Sequence, residues 1–214
     1  AVALVGAISK LTGSNLSRHE IAEKAWDIEV NRLKMFGGRQ DQLAAVFGGM
    51  NTFYFRKGEV IREDWGKVIP NEIAQNIALF YIGEKRKSPL IQEKLKNLSE
   101  QQIDYLDKIA SIARRFTNFR LLSPTFMGEL IKESWEYKKL SNPLVTTPRV
   151  DEIYETALEN GALGGKLCGS GGGGHMFFVV EPDKRSKLIE KLEKMGCKYV
   201  DFSVDFTGLK TRII

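Results

Sequence analysis

The sequence predicts an α+β fold. Three observations carry this. Helical patterns with clear start signals occupy much of the chain. Short β-type runs are scattered among them without a strict βαβ repeat. The stretch Gly161–Glu181, GALGGKLCGSGGGGHMFFVVE, sets eight glycines between an amphipathic helix and an apolar strand. Glycine loses the most backbone entropy on folding, so such a cluster implies left-handed backbone or close approach of another group.

The elements follow in order. Ala1–Leu11 is largely apolar and reads as a buried helix ending near Gly13. Ser17-Arg-His-Glu20 is a capping box. It starts a helix with Ile21, Ala25, Ile28 and Leu33 on its apolar face. Phe36-Gly-Gly38 breaks that helix. Gln40–Phe47 is a short helix closed by Gly48-Gly49. Asn51–Phe55 and Val60–Trp65 form a hairpin turned at Gly58, and Ile77–Ile82 is a further strand. Pro89–Leu98 reads as helix. Ser99-Glu-Gln-Gln102 caps a longer helix to about Phe119, and Ser123-Pro124 starts another that ends near Leu140. Asn142–Pro148 is a loop, and Val150–Asn160 a helix stopped by Gly161. After the glycines come a strand at His175–Val180 and a helix at Asp183–Met195. Two more strands lie near Lys198–Val204 and Leu209–Ile214.

Composition narrows the function classes. The net charge is +5, with charges interspersed rather than in blocks. That pattern disfavours a nucleic-acid partner and suits small anionic substrates. The apolar opening is too short to span a membrane, and no membrane partner is expected. Two cysteines and two histidines, far apart, make neither a disulfide framework nor a zinc centre.

The glycine loop reads as a phosphate cradle, since bare amides form an anion-friendly concavity. Gly169–Gly174 satisfies G-x-G-x-x-G in letters, but the dinucleotide fingerprint needs strand, loop, helix and the order here reads helix, loop, strand; it is not a Walker A loop, because no Gly-Lys-Ser/Thr follows. The second informative stretch is Gly37-Gly-Arg-Gln-Asp-Gln42. Asp41 opens the short helix, either as a first-turn acid favoured by the helix dipole or as a proton acceptor. Glu29, on the preceding helix, is either a solvated side chain or one of the few carboxylates that Mg²⁺ uses beside phosphates. Lys166 either neutralises phosphate charge or is a surface lysine. His175 reads as a core or rim histidine and Cys168 as a small filler. Trp135 and Tyr137 are packing residues or an aromatic wall for a sugar ring.

Together the two stretches resemble the GHMP family of small-molecule kinases, which includes galactokinase, homoserine kinase and mevalonate kinase. GGKLCGSGGGGHMFFVV resembles the family's C-terminal glycine motif, and GGRQDQLAAVFGG the segment bearing its catalytic aspartate. Within the family, the heptose 7-phosphate kinases share the Gly-Gly-x-Gln-Asp-Gln run and the Gly-Gly-Lys-Leu opening. The resemblance covers the later part of the family's length. AVALVGAISK is similar to the helix that follows the family's Gly-Leu-Gly-Ser-Ser phosphate loop, which places that loop upstream of Ala1. On this basis the 214 residues alone are expected to be inactive.

The resemblance implies the remainder of an N-terminal GHMP domain over residues 1–70 and a C-terminal α/β sandwich domain over residues 71–214. It implies a cytoplasmic, ATP- and Mg²⁺-dependent kinase acting on a sugar or sugar phosphate, with a heptose 7-phosphate expected. A kinase for another small alcohol, or a non-catalytic binding protein on this fold, is the alternative. Asp41 matches the catalytic aspartate and Glu29 the Mg²⁺ carboxylate. Gly169, Ser170, Gly171, Gly172 and Gly173 match the nucleotide-phosphate loop, with Ser170 where the subgroup often has alanine. Gly37, Gly38, Gln40 and Lys166 are expected on the substrate side, with the helix around Trp135–Lys139.

Overall fold

A computed structural model describes residues 1–35, 37–66, 73–83, 91, 97–117 and 123–212. The chain divides into two compact units, one of Ala1–Glu72 with Ser203–Ile214 and one of Ile73–Phe202. The C-terminal tail thus groups with the first unit, whereas the sequence reading assigned it to residues 71–214.

In the first unit, α1 (Val2–Leu11), α2 (Arg18–Trp26) and α3 (Gln40–Phe47) precede a hairpin of β1 (Asn51–Arg56) and β2 (Glu59–Asp64). Their shared core holds Val2, Val5, Ile21, Ala22, Ala25, Leu43, Val46 and Phe47. α1 is not buried all round. Its inner face is covered, but Leu4, Ile8 and Leu11 are exposed. Ser17 and Glu20 form the expected reciprocal cap on α2.

The helix after Ser17 is not α-helical to its end. Asp27–Arg32 winds as a π-helix, braced by hydrogen bonds from Asn31 and Arg32 to the Asp27 carboxylate. The wider winding changes the side-chain phase, so Leu33 leaves the apolar face and is exposed.

The tail explains the Gly48-Gly49 pair that closes α3. Gly48 and Gly208 both have positive φ, 64° and 59°, and their backbones touch. A Cβ on Gly48 would lie 2.5 Å from the Gly208 nitrogen. The Gly49 N–H donates to the Asp205 carbonyl and the Leu209 N–H to the Val46 carbonyl. Residues 209–212 form no strand, contrary to expectation, because these bonds reach a loop and a helix end rather than a ladder.

In the second unit an antiparallel sheet has the order β4-β5-β3-β6. Its strands are β3 (Ile77–Tyr81), β4 (Ala162–Leu167), β5 (His175–Val180) and β6 (Lys198–Val200). The helices are α4 (Glu100–Phe116), α5 (Pro124–Ser141), α6 (Pro148–Glu159) and α7 (Pro182–Lys194). Phe80 and Phe178 meet edge to face at 6.1 Å in a core that Trp135, Ile153, Tyr154, Leu188 and Leu192 complete. The helix expected at Pro89–Leu98 falls largely outside the described residues. β6 stops at Val200, short of the expected Val204.

The first half of the glycine stretch is a strand, which corrects the helix-loop-strand reading. Ala162–Leu167 pairs with β5, with an irregular register between Ala162 and Gly164. Gly164 and Gly165 are there for packing. A Cβ on Gly164 would lie 2.1 Å from the Gly128 carbonyl oxygen of α5, and one on Gly165 2.4 Å from the Phe178 ring. Trp135 is fully buried, with its ring centroid 6.4 Å from that of Tyr154. It packs the core and cannot wall a sugar pocket. Tyr137 stacks beside Tyr105 instead.

Candidate active site

The first unit carries Glu29, Gln40 and Asp41 among the polar side chains singled out in the sequence. The π turn carries Glu29 and leads to Lys34, whose φ of 57° reverses the chain. The Met35 N–H donates to the Glu29 carbonyl and locks that reversal. The Glu29 carboxylate is half-buried, and one oxygen accepts a hydrogen bond from the Gln42 side-chain amide. Its other oxygen lies 4.0 Å from the backbone nitrogen of Ala1, beside the head of α1. Gln42 is 8% exposed, and its Oε1 has no partner among the described residues. Gln42 was not singled out in the sequence, although it stands next to Asp41.

Asp41 is exposed in the first turn of α3, whose N-cap, Arg39, makes no side-chain capping bond. Gly37, Gly38 and Gln40 line a cavity of about 350 Å³ with Trp26, Arg39 and Phe55. That volume lies within the range of small-ligand sites. Neither glycine has positive φ. A Cβ on Gly38 would meet nothing within 4 Å, and one on Gly37 only Val30 at 4.0 Å. Within this unit neither packing nor backbone conformation explains two glycines in a row.

The remaining candidates lie in the second unit. Gly169, Gly171, Gly172, Gly173 and Gly174 all have positive φ. Gly171 to Gly174 are buried, Ser170 is half-buried and Gly169 is exposed. At Gly171 an added Cβ would lie 2.8 Å from Val145, and the Gly172 N–H donates to the Val145 carbonyl. The inner part of the loop is therefore anchored to the protein, with Gly169 and Ser170 at its more open end. Lys138 donates to the Gly169 carbonyl at 2.6 Å and sets an ammonium group at this end. Lys138 lies in the Trp135–Lys139 stretch expected on the substrate side, but its contact with residue 169 has no signal in local sequence.

Lys166 is half-buried in β4, with Nζ 3.4 Å from the Ser134 hydroxyl. Burial lowers its ammonium pKa below the usual lysine value. It is not a surface lysine. His175 packs against Tyr81, and the Cys168 N–H closes the β4–β5 ladder on the His175 carbonyl. Burial raises the Cys197 thiol pKa, which makes it an unreactive filler. Among the described residues no group of three or more His, Cys, Asp or Glu is placed to hold a metal ion, and no helix is long and apolar enough to cross a membrane.

Two family models match the chain. The GHMP kinases N terminal domain covers residues 1–49 and the GHMP kinases C terminal model residues 117–196. A D-glycero-alpha-D-manno-heptose 7-phosphate kinase of Campylobacter jejuni is 32% identical over 98% of this chain and 64% of its own length. A mevalonate kinase of Thermococcus sibiricus is 24% identical over 98% of this chain and 62% of its own. A solved D-glycero-D-manno-heptose 1-phosphate kinase from Bacteroides thetaiotaomicron superposes with a TM-score of 0.65 at 24% identity, over 99% of this chain and 61% of that one. The chain thus spans less than two thirds of the length of these relatives.

Proposed function

We infer the function from one premise: this chain belongs to the GHMP kinase family. We propose that the protein is a kinase that transfers the γ-phosphoryl group of ATP to a hydroxyl of a sugar or sugar phosphate. The heptose 7-phosphate kinase relative favours a heptose 7-phosphate as acceptor. The observation that carries the reading is Asp41, exposed immediately after a cavity whose two glycines the fold does not require. Phosphoryl transfer needs little covalent chemistry from the protein and depends on positioning and charge.

In this reading Asp41 orients the attacking hydroxyl and accepts its proton. Gly37, Gly38 and Gln40 hold the acceptor against the protein backbone. Gly169 to Gly173, with Lys138 at the exposed end, hold the nucleotide phosphates, and Lys166 lies behind them in β4. Glu29 would hold Mg²⁺, which neutralises phosphate charge when bound. The residues fit that ion. One carboxylate oxygen is fixed by Gln42, and Mg²⁺ takes only one or two protein carboxylates, filling the rest of its shell with phosphate and water. In the complete protein Glu29→Gln should therefore raise the Mg²⁺ concentration for half-maximal rate by about tenfold or more. An unchanged Mg²⁺ titration would remove Glu29 from that role. A cytoplasmic location follows from the same reading.

A second reading rests on the mevalonate kinase relative: a kinase for another small alcohol. ADP release by the complete protein, coupled to an optical assay, separates the two. The acceptors are heptose 7-phosphate, unphosphorylated heptose and mevalonate. ADP formed with heptose 7-phosphate ahead of the others is the expected result. Preference for mevalonate supports the second reading. No ADP with any acceptor contradicts both and favours a non-catalytic nucleotide- or sugar-binding protein.

A further inference from the structure

We propose that Arg39, held on the face of Trp26, recognises the phosphate that the acceptor already carries, so that the site selects a sugar phosphate over a free sugar. This rests on the acceptor cavity proposed above and adds the chemical class of its ligand.

Arg39 is the cationic residue among the six that line the cavity. Its guanidinium carbon lies 4.2 Å from the centroid of the Trp26 ring. Its Nε lies 3.1 Å from a Glu23 carboxylate oxygen. The Trp26 Nε1 reaches toward the Gly37 carbonyl at 3.4 Å and ties the indole to the glycine turn. The guanidinium is thus held on one face by the indole and ion-paired with Glu23, although its buried Nε makes no hydrogen bond there. Its two terminal NH₂ groups make no hydrogen bond to another described residue. Those are the donors that engage two oxygens of a phosphomonoester in parallel.

Energetics favour a ligand role. The Arg39 and Glu23 side chains are 38% and 43% exposed, and such exposed pairs add little to stability. Ordering a long arginine side chain opposes folding by an amount of similar size. The arrangement therefore does little for the fold. It does fix a donor pair in advance, which reduces the ordering cost of binding an anion. The adjoining glycines leave room for a sugar ring beside it, and the half-buried Trp26 and exposed Phe55 offer apolar surface for its C–H groups.

The test is calorimetric binding of heptose 7-phosphate and of unphosphorylated heptose, without nucleotide, to the complete protein and to Arg39→Gln and Arg39→Lys. The wild type should bind the sugar phosphate more tightly. Arg39→Gln should reduce that preference by about 10–100-fold, and Arg39→Lys should restore it only in part, because an ammonium lacks the paired donors. An unchanged preference in Arg39→Gln overturns the proposal, as does equal loss of both ligands. Thermal melting of the variants, expected within a few degrees of wild type, separates these results from misfolding. Binding without turnover would contradict the kinase reading and leave the Arg39 assignment standing. Mevalonate bound through Arg39 with no affinity for the sugar phosphate would overturn the assignment of phosphate as the anion.

Discussion

Asp41→Asn in the complete protein should lower kcat by about 10²–10⁴-fold, the range expected when a positioned general base is lost. Nucleotide affinity should stay within about threefold, because the change acts on the step rather than on ground-state binding. The substitution is nearly isosteric and sits in an exposed first turn, so the fold has little reason to respond. Some stability is lost with the charge at the helix N-terminus, about 0.3–1 kcal/mol. Single-turnover rates and calorimetric titration of ATP make the comparison. Wild-type kcat in Asp41→Asn would exclude the residue from the chemistry. A parallel loss of nucleotide affinity would reassign it to binding.

Gly164→Val should destabilise the protein by about 3 kcal/mol or more, the upper part of the range for overpacking. Valine suits a strand, so local propensity alone predicts a neutral or favourable change. The obstacle is tertiary. A Cβ at residue 164 would sit 2.1 Å from the Gly128 carbonyl oxygen, and one at Gly128 would sit 2.4 Å from the Leu163 Cβ. Helix α5 and strand β4 touch backbone to backbone, so the contact has no flexible end to yield. Gly38→Ala is the control, since its added methyl meets nothing within 4 Å. Its stability should change by less than about 0.5 kcal/mol, with the effect appearing as weaker acceptor binding. Urea unfolding of both variants measures the difference. Equal stability of Gly164→Val and wild type would contradict the packing account of the glycine stretch.

The legible parts of the fold were those with local causes. Ser17 with Glu20 and Ser99 with Gln102 announced two helix starts, and both capping boxes are present. The alternation about Gly58 announced the hairpin. The strand at Ala162–Leu167 was hidden because its glycines carry no β signal. The reason for Gly164 lies on α5, 36 residues away at Gly128, and that for Gly165 on the Phe178 ring of β5. The π turn was hidden because apolar spacing suggests a helix without stating how tightly it winds. Of the candidate site, Asp41 and its glycines were readable as a motif. The stack of Arg39 on Trp26 was not, since residues 13 apart meet only after the chain reverses at Lys34.

The central claim is that Asp41 activates an acceptor hydroxyl held at Gly37–Gln40. A crystal structure of the complete protein with heptose 7-phosphate bound tests it most directly. The account predicts a sugar hydroxyl about 2.6–3.2 Å from the Asp41 carboxylate, with the ring against Gly37 and Gly38 and the phosphate on Arg39. A sugar bound elsewhere, with the Asp41 carboxylate left in solvent, would contradict it.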